Sequence, residues 1–210
     1  MKTSLLPIAI AAAAVGLAGG CGSQPSRVRQ ADLDADRAGS AAVSAYDGNG
    51  DGLLSAEELK ACPAIAQARA QYDTDSDGQV SAKEITARIE KWQQLKVGLM
   101  SFSCRVTFAG QPLVGAVVRM VPEPFLGDSL VAASGTTNAA GVATPSIPPE
   151  AQPDPGRALS GMNPGLYKVE ITHPSIALPP RYNTQTTLGQ QIAPDDPAVM
   201  SVEFVLTRTP

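Results

Sequence analysis

Histidine occurs once in this chain of 210 residues, at His173. A single imidazole excludes the two-histidine zinc motifs and leaves any nucleophile–base pair to be built around one residue. No serine nucleophile motif and no phosphate-cradling loop accompanies it, and a histidine between an alternating run and Pro174 reads as a strand-end surface residue. The expectation is that the chain is not an enzyme. Aromatic residues make up only 4% of the chain, with one tryptophan. Any core must therefore be built mainly from Val, Leu, Ile and Ala, with few large anchors and modest stability from the bare polypeptide. Positive charge is also short: the formal net charge of −4 disfavours nucleic acid and anionic head groups as partners.

The N-terminus has Lys2, an apolar stretch from Leu5 to Leu17, and small residues at Ala18, Gly19 and Gly20 before Cys21. This is the layout of a secretory signal, too short and Gly-interrupted for a spanning anchor. A cysteine in that place resembles the lipobox of bacterial lipoproteins, with Ala18 standing where leucine is usual. The resemblance implies a signal peptide over 1–20, lipidation of Cys21 and a linker over 21–36. The protein would then be exported and held to a membrane at the cell envelope by that lipid anchor, with ordinary secretion as the alternative. Loss of Lys2 with the signal moves the charge from −4 to −5.

Composition divides the rest near Gly98. Residues 30–97 are rich in Ala, Asp, Glu, Lys and Gln at helical spacing, whereas the remainder holds most of the proline and β-branched residues in short alternating runs. The chain reads as two modules, 37–97 and 98–210.

Two stretches of the first module carry its chemistry. From Asp47 the chain reads Asp-Gly-Asn-Gly-Asp-Gly-Leu-Leu-Ser-Ala-Glu-Glu, and from Asp73 Asp-Thr-Asp-Ser-Asp-Gly-Gln-Val-Ser-Ala-Lys-Glu. Calcium is a hard cation that takes six to eight oxygens, so a loop must present them at alternating positions while turning tightly round the ion. Both stretches fit the twelve-residue EF-hand template. Asp47, Asn49, Asp51, the Leu53 carbonyl, Ser55 through a water, and Glu58 with both oxygens are the expected ligands of the first loop. Asp73, Asp75, Asp77, the Gln79 carbonyl, Ser81 and Glu84 repeat the set, so the cofactor is two Ca²⁺ ions. Gly52 and Gly78 are sixth, where the turn opposes a Cβ. Leu54 and Val80 are eighth and apolar, suited to joining the loops as one pair.

Flanking helices are expected over 38–46 and after the second loop, where Ile85, Ile89 and Trp92 form a stripe. Trp92 reads as a core or interdomain anchor. The loops begin 26 residues apart, so Pro63 should separate two intervening helices of about two turns each. Such compressed pairs are similar to bacterial secreted EF-hand proteins and, more distantly, to dockerin modules. A switching role would call for an apolar, often Met-rich groove, and no methionine lies between Met1 and Met100. Calcium therefore reads as structural, with the ligand carboxylates repelling one another in its absence.

Beyond Gly98 the period becomes two. Phe102, Cys104, Val106 and Phe108 alternate with polar residues, a turn follows at 109–112, and 114–121 supplies a second strand able to pair with the first as a hairpin. Further strands are expected at 129–133, 142–144, around Tyr167, Val169 and Ile171, and around Val202, Phe204 and Leu206. The Pro-rich stretch 145–164 reads as an exposed loop. Short strands separated by turns indicate an all-β, immunoglobulin-like sandwich.

The runs Gly110-Gln111-Pro112-Leu113-Val114-Gly115-Ala116-Val117-Val118, Gly135-Thr136-Thr137-Asn138-Ala139-Ala140-Gly141 and Asn163-Pro164-Gly165-Leu166-Tyr167-Lys168-Val169 resemble the transthyretin-like, carboxypeptidase regulatory-type sandwich over about half the chain. Arg181-Tyr182-Asn183 is similar to a late motif of planctomycete lipoproteins bearing such domains. The resemblance implies a structural, adhesive or binding module that contacts an unidentified protein or glycan and has no catalytic constellation of its own. Cys62 and Cys104 are open to either a disulfide or buried free thiols. The fold class expected is thus α+β as separate modules, a small all-α EF-hand pair followed by an all-β transthyretin-like sandwich. The function expected is a non-enzymatic calcium-binding envelope lipoprotein. A calcium-responsive signalling adaptor and an accessory module of a carbohydrate-degrading assembly are the alternatives.

Overall fold

The computed structural model describes residues 28, 30–152 and 159–208. The expected signal peptide and Cys21 lie outside them, as does half of the expected linker. Among the described residues, no helix is long and apolar enough to cross a membrane.

Helix α1 (Ala35–Tyr46) starts where Asp34 accepts a hydrogen bond from the Arg37 amide at 3.0 Å, occupying one of the four free amides of a helix start. Its buried face is Ala35, Ala38, Gly39 and Ala42, small residues at helical spacing. That face permits a close approach to α4 (Ala82–Leu95), whose own buried face is Ile85, Arg88, Ile89 and Trp92. A Cβ at Gly39 would sit 2.5 Å from Thr86 Oγ1 and closer still to the Ala82 carbonyl oxygen. Alanine in a helix normally gains up to about 1 kcal/mol over glycine, but overpacking against backbone costs about 1 to 3 kcal/mol. The clash wins, and Gly39→Ala is expected to lower the urea midpoint with an unchanged slope.

Between α1 and α4 the helices are shorter than the spacing suggests. A single 3₁₀ turn (Glu58–Ala61) follows the first loop, then come α2 (Pro63–Gln67) and α3 (Arg69–Tyr72). Pro63 forces Cys62 out of helical geometry (φ −121°, ψ 72°) and opens α2 at its first position. Strands β1 (Leu53–Leu54) and β2 (Val80–Ser81) join the two loops antiparallel, with Leu54 opposite Val80, both fully buried.

The remainder forms two four-stranded sheets. In the first, β3 (Cys104–Phe108) pairs with β4 (Gln111–Pro112), β7 (Val142–Ala143) and, in parallel, β10 (Val202–Leu206). In the second the order is β6 (Ala133–Thr136), β5 (Val117–Pro122), β8 (Gly165–Thr172), β9 (Gly189–Ile192), all antiparallel. The expected hairpin between β3 and the 114–121 strand does not form. Ala109 (φ 51°) and Gly110 (φ 78°) make a tight turn that returns only as far as β4. Gly115 (φ 79°) then redirects the chain so that β5 lies between β6 and β8. Alternation marked the buried face of each strand but carried no information about its neighbour.

The helical region and the β-rich region that follows it pack closely against one another. They share one hydrophobic cluster, and β9 is buried along its whole length. The cause is close packing of α2 on the second sheet: a Cβ at Gly189 would lie 2.6 Å from Ala64 Cα and nearer still to its amide nitrogen. The described residues of 145–164 are likewise less exposed than the proline content suggests. Ile147, Met162 and Asn163 are buried, Gln152 exchanges bonds of 2.7 and 3.0 Å with the Leu159 backbone, and Asn163 donates to the Gly98 carbonyl at 2.8 Å. Cys62 and Cys104 are both free and buried, so among the described residues no disulfide ties the regions together.

Candidate metal centre

The two loops have the same backbone. Their sixth residues, Gly52 (φ 84°) and Gly78 (φ 85°), and their fourth, Gly50 (φ 77°) and Ser76 (φ 63°), all take the left-handed conformation. That path folds each chain of donors back on itself and turns the amides inward. In the first loop Asp47 accepts from the Gly50 and Gly52 amides at 2.6 and 2.8 Å, and Asp51 accepts from Leu53 at 2.9 Å. In the second, Asp73 accepts from Gly78 at 3.1 Å and Asp77 from Gln79 at 2.7 Å.

Each twelfth residue reaches back across its loop. Glu58 accepts from the Gly48 amide at 2.8 Å with one oxygen, and from the Ser55 amide and hydroxyl at 2.9 and 2.7 Å with the other. The Ser55 hydroxyl, the Ser55 amide and the Gly48 amide together hold the Glu58 carboxyl down to about 2. Glu84 repeats the arrangement with Thr74 and Ser81. Burial would raise its carboxyl, but the amides and hydroxyls of Ser81 and Thr74 outweigh burial and lower it. Both twelfth carboxylates thus stay ionised at neutral pH. Ser81 and Glu84 also form the capping box that starts α4, so the pair that closes the loop starts the exiting helix.

The second loop fits a cation on two further grounds. Carboxylate oxygens of Asp73, Asp75 and Glu84 come within 4.8 Å of one another. In addition, Asp73 Oδ1 is buried without a hydrogen-bond partner, an unfavourable state for a carboxylate oxygen that a divalent ion would relieve. The first loop has the neutral Asn49 where the second has Asp75, so it presents three carboxylates against four. Asn49 uses its amide to donate to Asp51 at 2.9 Å.

The EF hand family model matches residues 44–63 and 70–87, the two loops with their immediate flanks. Neither a curated protein nor a solved structure matches the chain. The protein therefore contains an EF-hand pair, followed by a β-rich region with several sheets, and an EF hand implies calcium binding.

Other singled-out residues fall elsewhere. Trp92 is buried within the core, with Arg88 stacked over its ring at 5.7 Å. His173 is exposed and engaged at both ring nitrogens: Nε2 pairs with the Val114 carbonyl at 2.9 Å, and Nδ1 accepts from the Ser175 and Ile176 amides. A concavity of about 760 Å³ beneath α2, between β9 and β10, contains none of the twelve loop ligands.

Sequence reading passed over a set of polar residues at the junction of the two regions. Glu123, fully buried after β5, accepts from the Tyr46 hydroxyl at 2.9 Å and the Cys62 thiol at 3.7 Å. Burial raises its carboxyl, with Lys168, Tyr46 and Cys62 drawing it partly back. Arg88 donates to both oxygens of Asp195 at 2.7 and 3.0 Å, to Gln191 at 3.2 Å, and to Gln71. Arg88 was the visible signal: it interrupts the apolar stripe of α4 at core spacing from Ile85, Ile89 and Trp92.

Proposed function

We propose that this protein is a non-enzymatic, calcium-stabilised structural or binding module of the cell envelope. Two ions are bound, one by Asp47, Asn49, Asp51, Leu53, Ser55 and Glu58, the other by Asp73, Asp75, Asp77, Gln79, Ser81 and Glu84. The observation that carries this reading is the pair of loops with matched left-handed turns, joined through Leu54 and Val80, with an unpartnered buried oxygen of Asp73 among converging carboxylates. The signal-like stretch before Cys21 supports export and lipid anchoring. The resemblance of 110–118, 135–141 and 163–169 to transthyretin-like sandwiches supports an adhesive or scaffolding role for the β-rich region. Both ring nitrogens of His173 being engaged fits a protein without general-base chemistry.

Calorimetric titration of the protein with calcium tests the reading. Two sites are expected, with the second loop tighter because affinity rises with ligand charge. Glu58→Gln should remove the weaker site and Glu84→Gln the tighter one. No heat and no bound metal at millimolar calcium would end the proposal.

A further inference from the structure

Each calcium loop is flanked by two residues that reach out of the helical region to the same receptor in the β-rich region. Around loop 1, Tyr46 precedes the first ligand and Cys62 follows the last by four residues. Their hydroxyl and thiol go to the two different oxygens of one buried carboxylate, Glu123, and the Tyr46 ring packs edge-on to Phe125 at 6.1 Å. Around loop 2, Gln71 lies two residues before the first ligand and Arg88 four residues after the last. Arg88 is bidentate to Asp195, and both it and Gln71 bond to Gln191, the latter at 2.8 Å. Cys62 and Arg88 occupy the same position relative to their loops, although one is a thiol and the other a guanidinium. None of these residues is a loop ligand.

In an EF hand the angle between the entering and exiting segments sets how the twelfth glutamate approaches the ion, and sensor proteins change that angle on binding. Here both segments of each hand are held by a common buried partner in the β-rich region, Glu123 or Gln191, so a change of angle would strip Glu123 of two hydrogen bonds, leaving it Lys168 at 3.6 Å, and would part Arg88 from Gln191 and Asp195. We infer that the β-rich region is a positioning clamp for the calcium sites. Glu123 fixes loop 1, and Asp195 with Gln191 fixes loop 2, so that calcium affinity at each loop depends on residues of the β-rich region. This inference rests on the calcium reading above and deepens it. Linkage makes the effect reciprocal: calcium strengthens docking of the helical region on the sheet by the same factor.

Calcium alone, titrated into the intact chain in two single-loop backgrounds, tests the clamp. Glu84→Gln leaves loop 1, and Glu58→Gln leaves loop 2. A carboxamide at 123 offers one acceptor oxygen in place of two, so Glu123→Gln should weaken calcium at loop 1 by at least about fivefold and loop 2 less. Asp195→Asn should show the reverse preference. General destabilisation would weaken both loops alike, so equal weakening, or none, overturns the clamp while leaving calcium binding in place. If the wild-type chain takes up no calcium, the calcium reading itself fails and the clamp with it.

A second measurement needs no variant. Cys62 lies at the junction and Cys104 within the first sheet, both buried. Site-resolved thiol labelling should show calcium slowing Cys62 more than Cys104, because undocking exposes only the former. Equal protection of the two thiols overturns the clamp.

Discussion

Chelating calcium is expected to lower the melting temperature of this protein by about 10 to 20 °C. If both proposed sites bind with a Kd of roughly 10⁻⁴ M, about 10 mM calcium contributes about 2.7 kcal/mol at each. A chain of this size shifts by about 2 to 4 °C per kcal/mol. The figure is large because the apo loops also crowd seven carboxylates, Asp47, Asp51, Glu58, Asp73, Asp75, Asp77 and Glu84, within two short turns. Magnesium at the same concentration should restore little, since it demands a small octahedral site and keeps its waters. Thermal melts in calcium, magnesium and chelator decide the matter, and superimposable curves in calcium and chelator would defeat the expectation.

Asp195→Ala is expected to cost about 1 to 3 kcal/mol, the range for leaving a buried donor short of its partner, because Arg88 is buried whereas Asp195 lies at the surface. The Arg88 side chain is only 4% exposed and would lose a bidentate partner, retaining Gln71 and Gln191. Lys91 also binds Asp195, at 2.7 Å, but its side chain is 60% exposed. Lys91→Ala should therefore cost less than about 1 kcal/mol. Burial alone would raise the Asp195 carboxyl, yet Arg88 and Lys91 hold it down to about 2. A folded-state value below the unfolded one of about 3.9 means the pair's contribution is complete above that pH and lost as pH falls through about 2. Urea unfolding should accordingly show the wild-type and Asp195→Ala stabilities far apart at pH 7 and converging between about pH 4 and 2. A gap that stays constant with pH would assign the loss to packing instead.

The calcium loops could be read directly because their information is local. Twelve consecutive residues specify ligand type, turn glycine and closing glutamate, and the left-handed turns at Gly52 and Gly78 appear where that pattern places them. The pairing of Leu54 with Val80 followed from the same template. The strand pattern was legible only in part. Val106, Val118 and Val169 are buried as alternation requires, but β5 lies beside β8 rather than β3, because a period of two selects a face and not a neighbour. The helices between the loops also came out shorter than spacing alone suggested, since Pro63 ends one segment at Cys62 and starts another.

By itself, then, the sequence determined the chemistry of the metal loops, the change from helical to strand periodicity near Gly98, and the inward face of most strands. Each depends on residues a few positions apart. Only the tertiary structure decided that the helical region packs onto the second sheet, and that Glu123 and Asp195 receive the segments flanking the two loops. Those partners are 77 and 107 residues away from Tyr46 and Arg88. No local pattern encodes a hydrogen bond across such a separation; it exists because packing the helical region on the sheet buries Arg88, Glu123 and Gln191, which then need partners from across the junction.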